Sequence, residues 1–186
     1  LSRFDVIAIQ EVRENIRALR DTIKLLGAHW GMVLTDVNKS PKGNWERMAF
    51  LFDTRRVNLS GLACELVIPE DWQQIEHDAL RRQFVRTPYA VGFRSLQTTF
   101  VLTTLHIYYG KNIAARIPEL QLIAKWMSSW AKEMNAYEQN LICLGDFNME
   151  KRGDLLEQTF LSEGLYIPPD LQNPTVTRSI FDDTKY

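Results

Sequence analysis

Apolar and polar positions along the chain alternate in two ways, in short apolar runs and in longer stretches with helical spacing. Phe4 to Ile9 (FDVIAI) is apolar apart from Asp5 and predicts a buried strand. From Arg13 to Leu26, the apolar residues Ile16, Leu19, Ile23 and Leu26 recur every three or four positions. That spacing predicts an amphipathic helix, with Gly27 as its stop. Trp30 to Val37 predicts a second strand, and Asn38 to Asn44 (NKSPKGN) a loop, by its Pro, Gly and Asn content. Met48 to Phe52 (MAFLF) reads as a buried strand, and Arg56 to Val67 as another with a break at Gly61. Pro69 to Arg82 is polar and predicts a surface loop with a helical turn. Phe84 to Phe93 and Thr98 to His106 predict two strands joined near Ser95. Ile113 to Ala136 is the longest periodic stretch. Its stripe of Ile117, Leu120, Ile123, Trp126, Met127, Trp130 and Met134 reads as a core face, with Pro118 tolerated near the helix start. Leu141 to Leu144 is a short strand, Asp154 to Glu163 a short helix closed by Gly164, and the tail from Tyr166 is loop-like. This order of elements predicts an α/β fold with sheets packed against helices.

Composition narrows the class. The chain has 186 residues, 45% hydrophobic and 24% charged, which is the balance of a globular domain and excludes disorder, collagen and coiled coil. Against 22 Lys and Arg stand 23 Asp and Glu, a net charge of −1. Binding a polyanion by bulk charge is disfavoured. Nucleic acid stays open as a substrate, because a local patch or a bound metal can supply the positive field. Three histidines leave little room for a multi-His metal site. Cys64 and Cys143 lie far apart in no metal-ligand spacing and are expected as small buried hydrophobes. No stretch approaches the roughly 18 apolar residues of a membrane span. The N-terminal LSRFDVIAIQEV does not read as a signal peptide.

Five places carry candidate chemistry, and each has a bland reading when taken singly. Glu11 closes the first strand, where crevices form, but a solvated Glu near a helix start would look the same. Asp146 and Asn148, in GDFN after LICL, put two oxygen-bearing side chains at one strand end. Hard divalent cations want such oxygens, and backbone turns want the same residues. His106 ends VLTTLH, where a lone His is more often structural. Glu46 precedes MAFLF, and Arg86 stands with Pro88 and Tyr89 in FVRTPYAVGF.

In one order along one chain, QEV, ER with its apolar strand, RTPYAVGF, TLH and LGDFN resemble the endonuclease/exonuclease/phosphatase superfamily of metal-dependent phosphodiesterases. Within it they are most similar to the deoxyribonuclease I group. The resemblance runs from about Phe4 to Glu150 and is weak beyond Lys151. It implies a four-layer α/β sandwich of two packed mixed β-sheets with helices outside. It implies that Glu11 binds metal, joined by Asp146, and that Asp146 and Asn148 position the attacking water and the scissile phosphate. His106 would serve as acid or base, Glu46 as its carboxylate partner, and Arg86 as an arginine near the phosphate. Tyr89 is expected to be structural. The implied cofactor is Mg²⁺, with Mn²⁺ or Ca²⁺ as substitutes, and the implied partner is nucleic acid, DNA favoured over RNA.

The chemistry agrees independently. A divalent cation stabilises charge on non-bridging and leaving oxygens. A histidine has the pKa range to protonate a leaving alkoxide, and a carboxylate beside it favours the imidazolium. The expected function is divalent-metal-dependent phosphodiester hydrolysis by a deoxyribonuclease I-like endonuclease. The alternatives are a phosphatase or phospholipid phosphodiesterase on the same scaffold, or a non-catalytic binding module. The family's early strand with an asparagine and its late Ser-Asp-His segment have no counterpart here. No His follows GDFN, and Asp182 and Asp183 receive no role. Residues 1–186 are therefore expected to be a single domain lacking both terminal parts, with little hydrolysis in isolation and with sheet edges covered by a partner, a second copy or the tail.

Overall fold

The computed structural model describes residues 1–38, 44–72, 83–133 and 136–172. Most of the expected 38–44 loop, residues 73–82 of the polar stretch, Met134 and the tail beyond 172 lie outside the described residues. Strands β1 (Val6–Val12), β3 (Arg47–Asp53) and β2 (Trp30–Leu34), in that spatial order, form an antiparallel sheet. Strands β4 (Asn58–Glu65), β5 (Tyr89–Ser95), β6 (Thr98–His106) and β7 (Leu141–Asp146) form a second sheet in sequence order. Its β4, β5 and β6 are antiparallel, and β6 and β7 are parallel. A parallel pair needs a crossover, and helix α2 (Ile117–Lys132) supplies it.

Side-chain alternation in β3 makes the layers. Met48, Phe50 and Phe52 point into the core between the sheets, where they meet Tyr89, Val91 and Phe93 of β5 and Leu102 of β6. Ala49 and Leu51 point the other way, against Leu19 of helix α1 (Arg17–Leu26). The strand is buried on both faces, which explains why MAFLF is continuously apolar. Phe93 packs edge-on to Phe50 and Phe52, with ring centroids 5.6 Å apart in each pair. On the far side of the second sheet, Val101 and Leu105 of β6 pack on Leu120, Ile123 and Met127 of α2 and on Leu156 and Phe160 of helix α3 (Leu155–Leu161). Helix, sheet, sheet, helix is the four-layer sandwich that the motifs implied; the second sheet is mixed, the first antiparallel.

Several boundaries differ from the expected ones, each for a local reason. Strand β1 starts at Val6 and is only half-buried, and Phe4 is exposed. Helix α1 starts at Arg17 rather than Arg13, because the Asn15 side chain accepts from the Arg17 N–H. Residues Phe84–Pro88 precede β5 without joining it, as a proline that cannot donate to a ladder allows. The long periodic stretch splits into a 3₁₀ turn at Ile113–Ala115 and α2, whose first turn carries Pro118. The tail contains one short helix, α4 (Pro169–Gln172). The stripe of α2 is the core face expected. Cys64 and Cys143 are free thiols, half-buried rather than fully buried, and burial pushes the Cys143 thiol up to about 12.

Candidate active site

Alternation along the strands also builds the site. Residues 100, 102 and 104 of β6 face the other sheet, so His106 continues that face at the strand end. The parallel register sets His106 beside Asp146, the last residue of β7. Glu46 stands two residues before Met48 and shares its inward direction. A hydrogen bond of 2.7 Å from Gln10 Nε2 to Thr104 Oγ1 ties the end of β1 to β6 across the sandwich. Four strand ends thus converge.

Glu11 reaches this place only through an irregularity. Between Ile9, paired with Ala49, and Val12, paired with Arg47, β1 carries one residue more than β3. Glu11 sits in that bulge at φ 59°. Regular alternation would send it outward with Ile7 and Ile9 toward α1. The bulge re-aims it, as bulges beside functional sites do. Asn148 is the other non-glycine residue of the site with a left-handed backbone, at φ 49°. Strain of this kind persists where the surroundings impose it. Gly145 is required for a different reason: at φ 140°, a Cβ there would lie 2.1 Å from the Leu105 carbonyl oxygen.

The contacts are specific. His106 Nδ1 lies 3.1 Å from Glu46 Oε2, and Arg86 Nε donates to the same oxygen at 2.8 Å. All three side chains are buried. Arg13 Nη1 approaches Glu46 Oε1 at 3.8 Å. A carboxylate oxygen accepts, so Nδ1–H donates to Glu46 Oε2 and Nε2 is left facing outward. Nε2 lies 3.9 Å from Glu11 Oε1 and 3.8 Å from Asp146 Oδ2. Those two distances to a shared atom keep the two carboxylate oxygens no more than 7.7 Å apart. Asp146 Oδ1 accepts from the Asn148 N–H at 2.9 Å, and Asn148 Nδ2 donates to the Ile107 carbonyl at 2.6 Å. Arg86 Nη1 is buried without a hydrogen-bond partner. A cavity of about 280 Å³ opens here, lined by Glu11, Glu46, Arg86 and His106 and also by Asp36 and Glu65. Burial first, then the charge of Asp36, pushes the Glu65 carboxyl up.

One ligand atom each of Glu11, Glu46 and His106 lies within 4.8 Å of the others, so this group could hold a metal ion. The donor chemistry favours the exposed side of it. Glu46 is already committed to Arg86 and His106, and an ion there would sit beside a guanidinium. Glu11 and Asp146 are half-exposed or more, and among the described residues His106 is the one basic side chain within 4 Å of a Glu11 carboxylate oxygen. Small shifts of two exposed carboxylates, or an intervening water, suit a hard cation that keeps part of its hydration. The structure therefore gathers Glu11, Glu46, Arg86, His106 and Asp146, with Asn148 braced by its own backbone contacts. The sequence did not single out Arg13, Arg116 or Glu119, the last two of which hydrogen-bond to backbone beside the site.

No family model matches the chain. A protein named deoxyribonuclease from Thioalkalivibrio sp. (strain K90mix) is 32% identical over 82% of this chain and 40% of its own length. The solved structure of ANGEL2, a 2′,3′-cyclic phosphatase, superimposes with a TM-score of 0.63 at 15% identity, covering 86% of this chain and 44% of that one. An endonuclease/exonuclease/phosphatase family protein from Bacteroides thetaiotaomicron does so with a TM-score of 0.59 at 20% identity, covering 87% and 55%. The fold is thus the deoxyribonuclease I-like sandwich. With the motif order and the sequence relative, this likeness bears out the resemblance to the endonuclease/exonuclease/phosphatase superfamily. It spans less than half the length of the deoxyribonuclease it matches.

Proposed function

We propose that the protein containing this chain is a Mg²⁺-dependent endonuclease of the deoxyribonuclease I type, hydrolysing phosphodiester bonds in DNA. The observation that carries this reading is the meeting of Glu11, Glu46, His106 and Asp146 from four separate strands at one end of the sandwich. The deoxyribonuclease relative favours DNA over the substrates of phosphatases that share the fold.

The roles follow from the atoms. Glu46 holds the ring of His106 by Nδ1, so Nε2 is the atom that gives or takes a proton. Arg86 holds Glu46 in place through Nε, and its buried Nη1 has no hydrogen-bond partner, which leaves one donor of the guanidinium for a phosphate oxygen. Asp146 orients the attacking water, and Asn148 steadies the scissile phosphate beside it. Glu11 and Asp146 hold the divalent cation, which when bound neutralises charge on the phosphate oxygens. Mn²⁺ or Ca²⁺ would occupy the same oxygen ligands.

The test is supercoiled plasmid incubated with the whole protein and Mg²⁺, or with EDTA. Nicked circles with Mg²⁺ and none with EDTA are expected. Intact plasmid together with phosphate released from a monoester would replace this reading by the phosphatase one.

A further inference from the structure

Helix α2 begins with two charged residues that are almost fully buried, Arg116 at its N-cap and Glu119 in its first turn. Three positions apart, they lie on one face of the helix. Neither has a hydrogen bond or ion pair to Glu11, Glu46, His106 or Asp146. Apart from an ion pair of 3.4 Å between Arg116 Nη1 and Glu150 Oε1, their hydrogen-bond partners are the backbones beside the site. Glu119 Oε1 accepts from the Val85 N–H at 3.2 Å, one residue before Arg86. Glu119 Oε2 accepts from the Tyr108 N–H at 2.8 Å, two residues after His106. Arg116 Nε donates to the Tyr109 carbonyl at 2.7 Å, and its guanidinium lies 4.1 Å from the centre of the Tyr109 ring. Arg116 Nη1 donates to the carbonyl of Asn148 at 2.8 Å, the residue held at φ 49°.

Packing alone does not call for these residues. The next positions of the helix, Leu120 and Ile123, fill the same layer with apolar side chains. Burying a carboxylate is costly unless it is hydrogen-bonded, and burial pushes the Glu119 carboxyl up despite its two N–H donors. A well-packed apolar pair is often as stable as a buried ionic one. What Arg116 and Glu119 add is direction: one helical turn grips three separate loops.

We propose that Arg116 and Glu119 are positioning residues that set the backbone segments next to Arg86, His106 and Asn148 against one another. The roles of those three rest on the nuclease reading; the grip does not.

The test begins with this chain. Its His106 Nδ1 proton, bonded to Glu46, should give a low-field imidazole resonance in the NMR spectrum. In Glu119→Gln, which keeps the shape but turns one acceptor into a donor, that resonance should be lost while Phe50 and Phe93 signals stay in place. A resonance unchanged in both Glu119→Gln and Arg116→Lys overturns the proposal. Should neither variant fold, wild-type amide exchange decides: slow exchange at Val85 and Tyr108, as in β6, supports the grip, and fast exchange at either overturns it. In the whole protein, Glu119→Gln should lower kcat on plasmid by about 10–100-fold, the usual effect of an outer partner of a site, with KM little changed. A wild-type protein with the expected resonance but no cleavage of DNA would sink the nuclease reading and leave the positioning role standing.

Discussion

Glu46 Oε2 lies 3.1 Å from His106 Nδ1, and this buried contact decides which nitrogen of the ring faces the open side of the site. With Arg86 Nε on the same oxygen, Glu46 has no freedom to turn toward solvent. His106→Ala in the whole protein is expected to lower the cleavage rate on the order of 10²–10⁴, the usual worth of one acid–base group. Glu46→Gln should lose most of that, and the double variant little more than either alone. Additive losses in single-turnover assays would separate the two residues.

Glu11→Gln is expected to weaken divalent-cation binding by about tenfold or more, equivalent to about 1.4 kcal/mol. The side chain is 60% exposed, so the unfolding temperature should hardly move. Titration calorimetry with Mn²⁺ reads the first quantity and thermal unfolding the second. Equal Mn²⁺ affinity in both proteins would remove Glu11 from the ligand set.

Gly145→Ala should destabilise by about 1–3 kcal/mol or more, the cost of forcing atoms into packed space. The new methyl would meet backbone, the Leu105 carbonyl, which cannot rotate away. Because His106 follows Leu105 and Asp146 follows Gly145, the surviving folded fraction should also lose activity. Denaturant unfolding at wild-type stability would show that the β6–β7 pair can open to admit a side chain.

Asp53 predicts a pH dependence far from the site. It closes β3 and takes the Arg55 guanidinium through Nε at 2.9 Å and Nη2 at 2.6 Å, and this bond holds its carboxyl down to about 2. An ordinary Asp titrates near 3.9. Its folded pKa is depressed, so the stabilisation is complete above about pH 4 and is lost as pH falls through 2. Asp53→Asn should flatten the fall of unfolding temperature with acid across that window. Parallel curves for the two proteins would show that the ion pair contributes nothing.

The order of elements was legible in the sequence because the buried strands are apolar runs and α2 has an unbroken stripe. The residue types of the site were legible because chemistry-bearing side chains stand out at the ends of such runs: Glu11, Glu46, His106 and Asp146 each close or open one. Their distances were not, since they depend on cross-sheet contacts between residues far apart in sequence, as in Gln10 with Thr104, 94 positions away. Three local features left no mark. Glu11 has no glycine beside it to announce a left-handed turn. Asn15 accepts from the Arg17 N–H just ahead of a helix that periodicity alone starts at Arg13. Arg116 and Glu119 look like ordinary polar residues of a helix start until their loops are folded onto them.

The bulge in β1 has a consequence for how this chain can change. Removing the single codon for Glu11 would let Ile9 and Val12 fall into one unbroken ladder with β3, a simpler strand than the present one. The carboxylate is therefore an insertion carried by the scaffold, separable from it in one step. Descendants that drop it would keep the sandwich and lose the carboxylate, a short route to a relative of the same shape without this side chain at the strand ends.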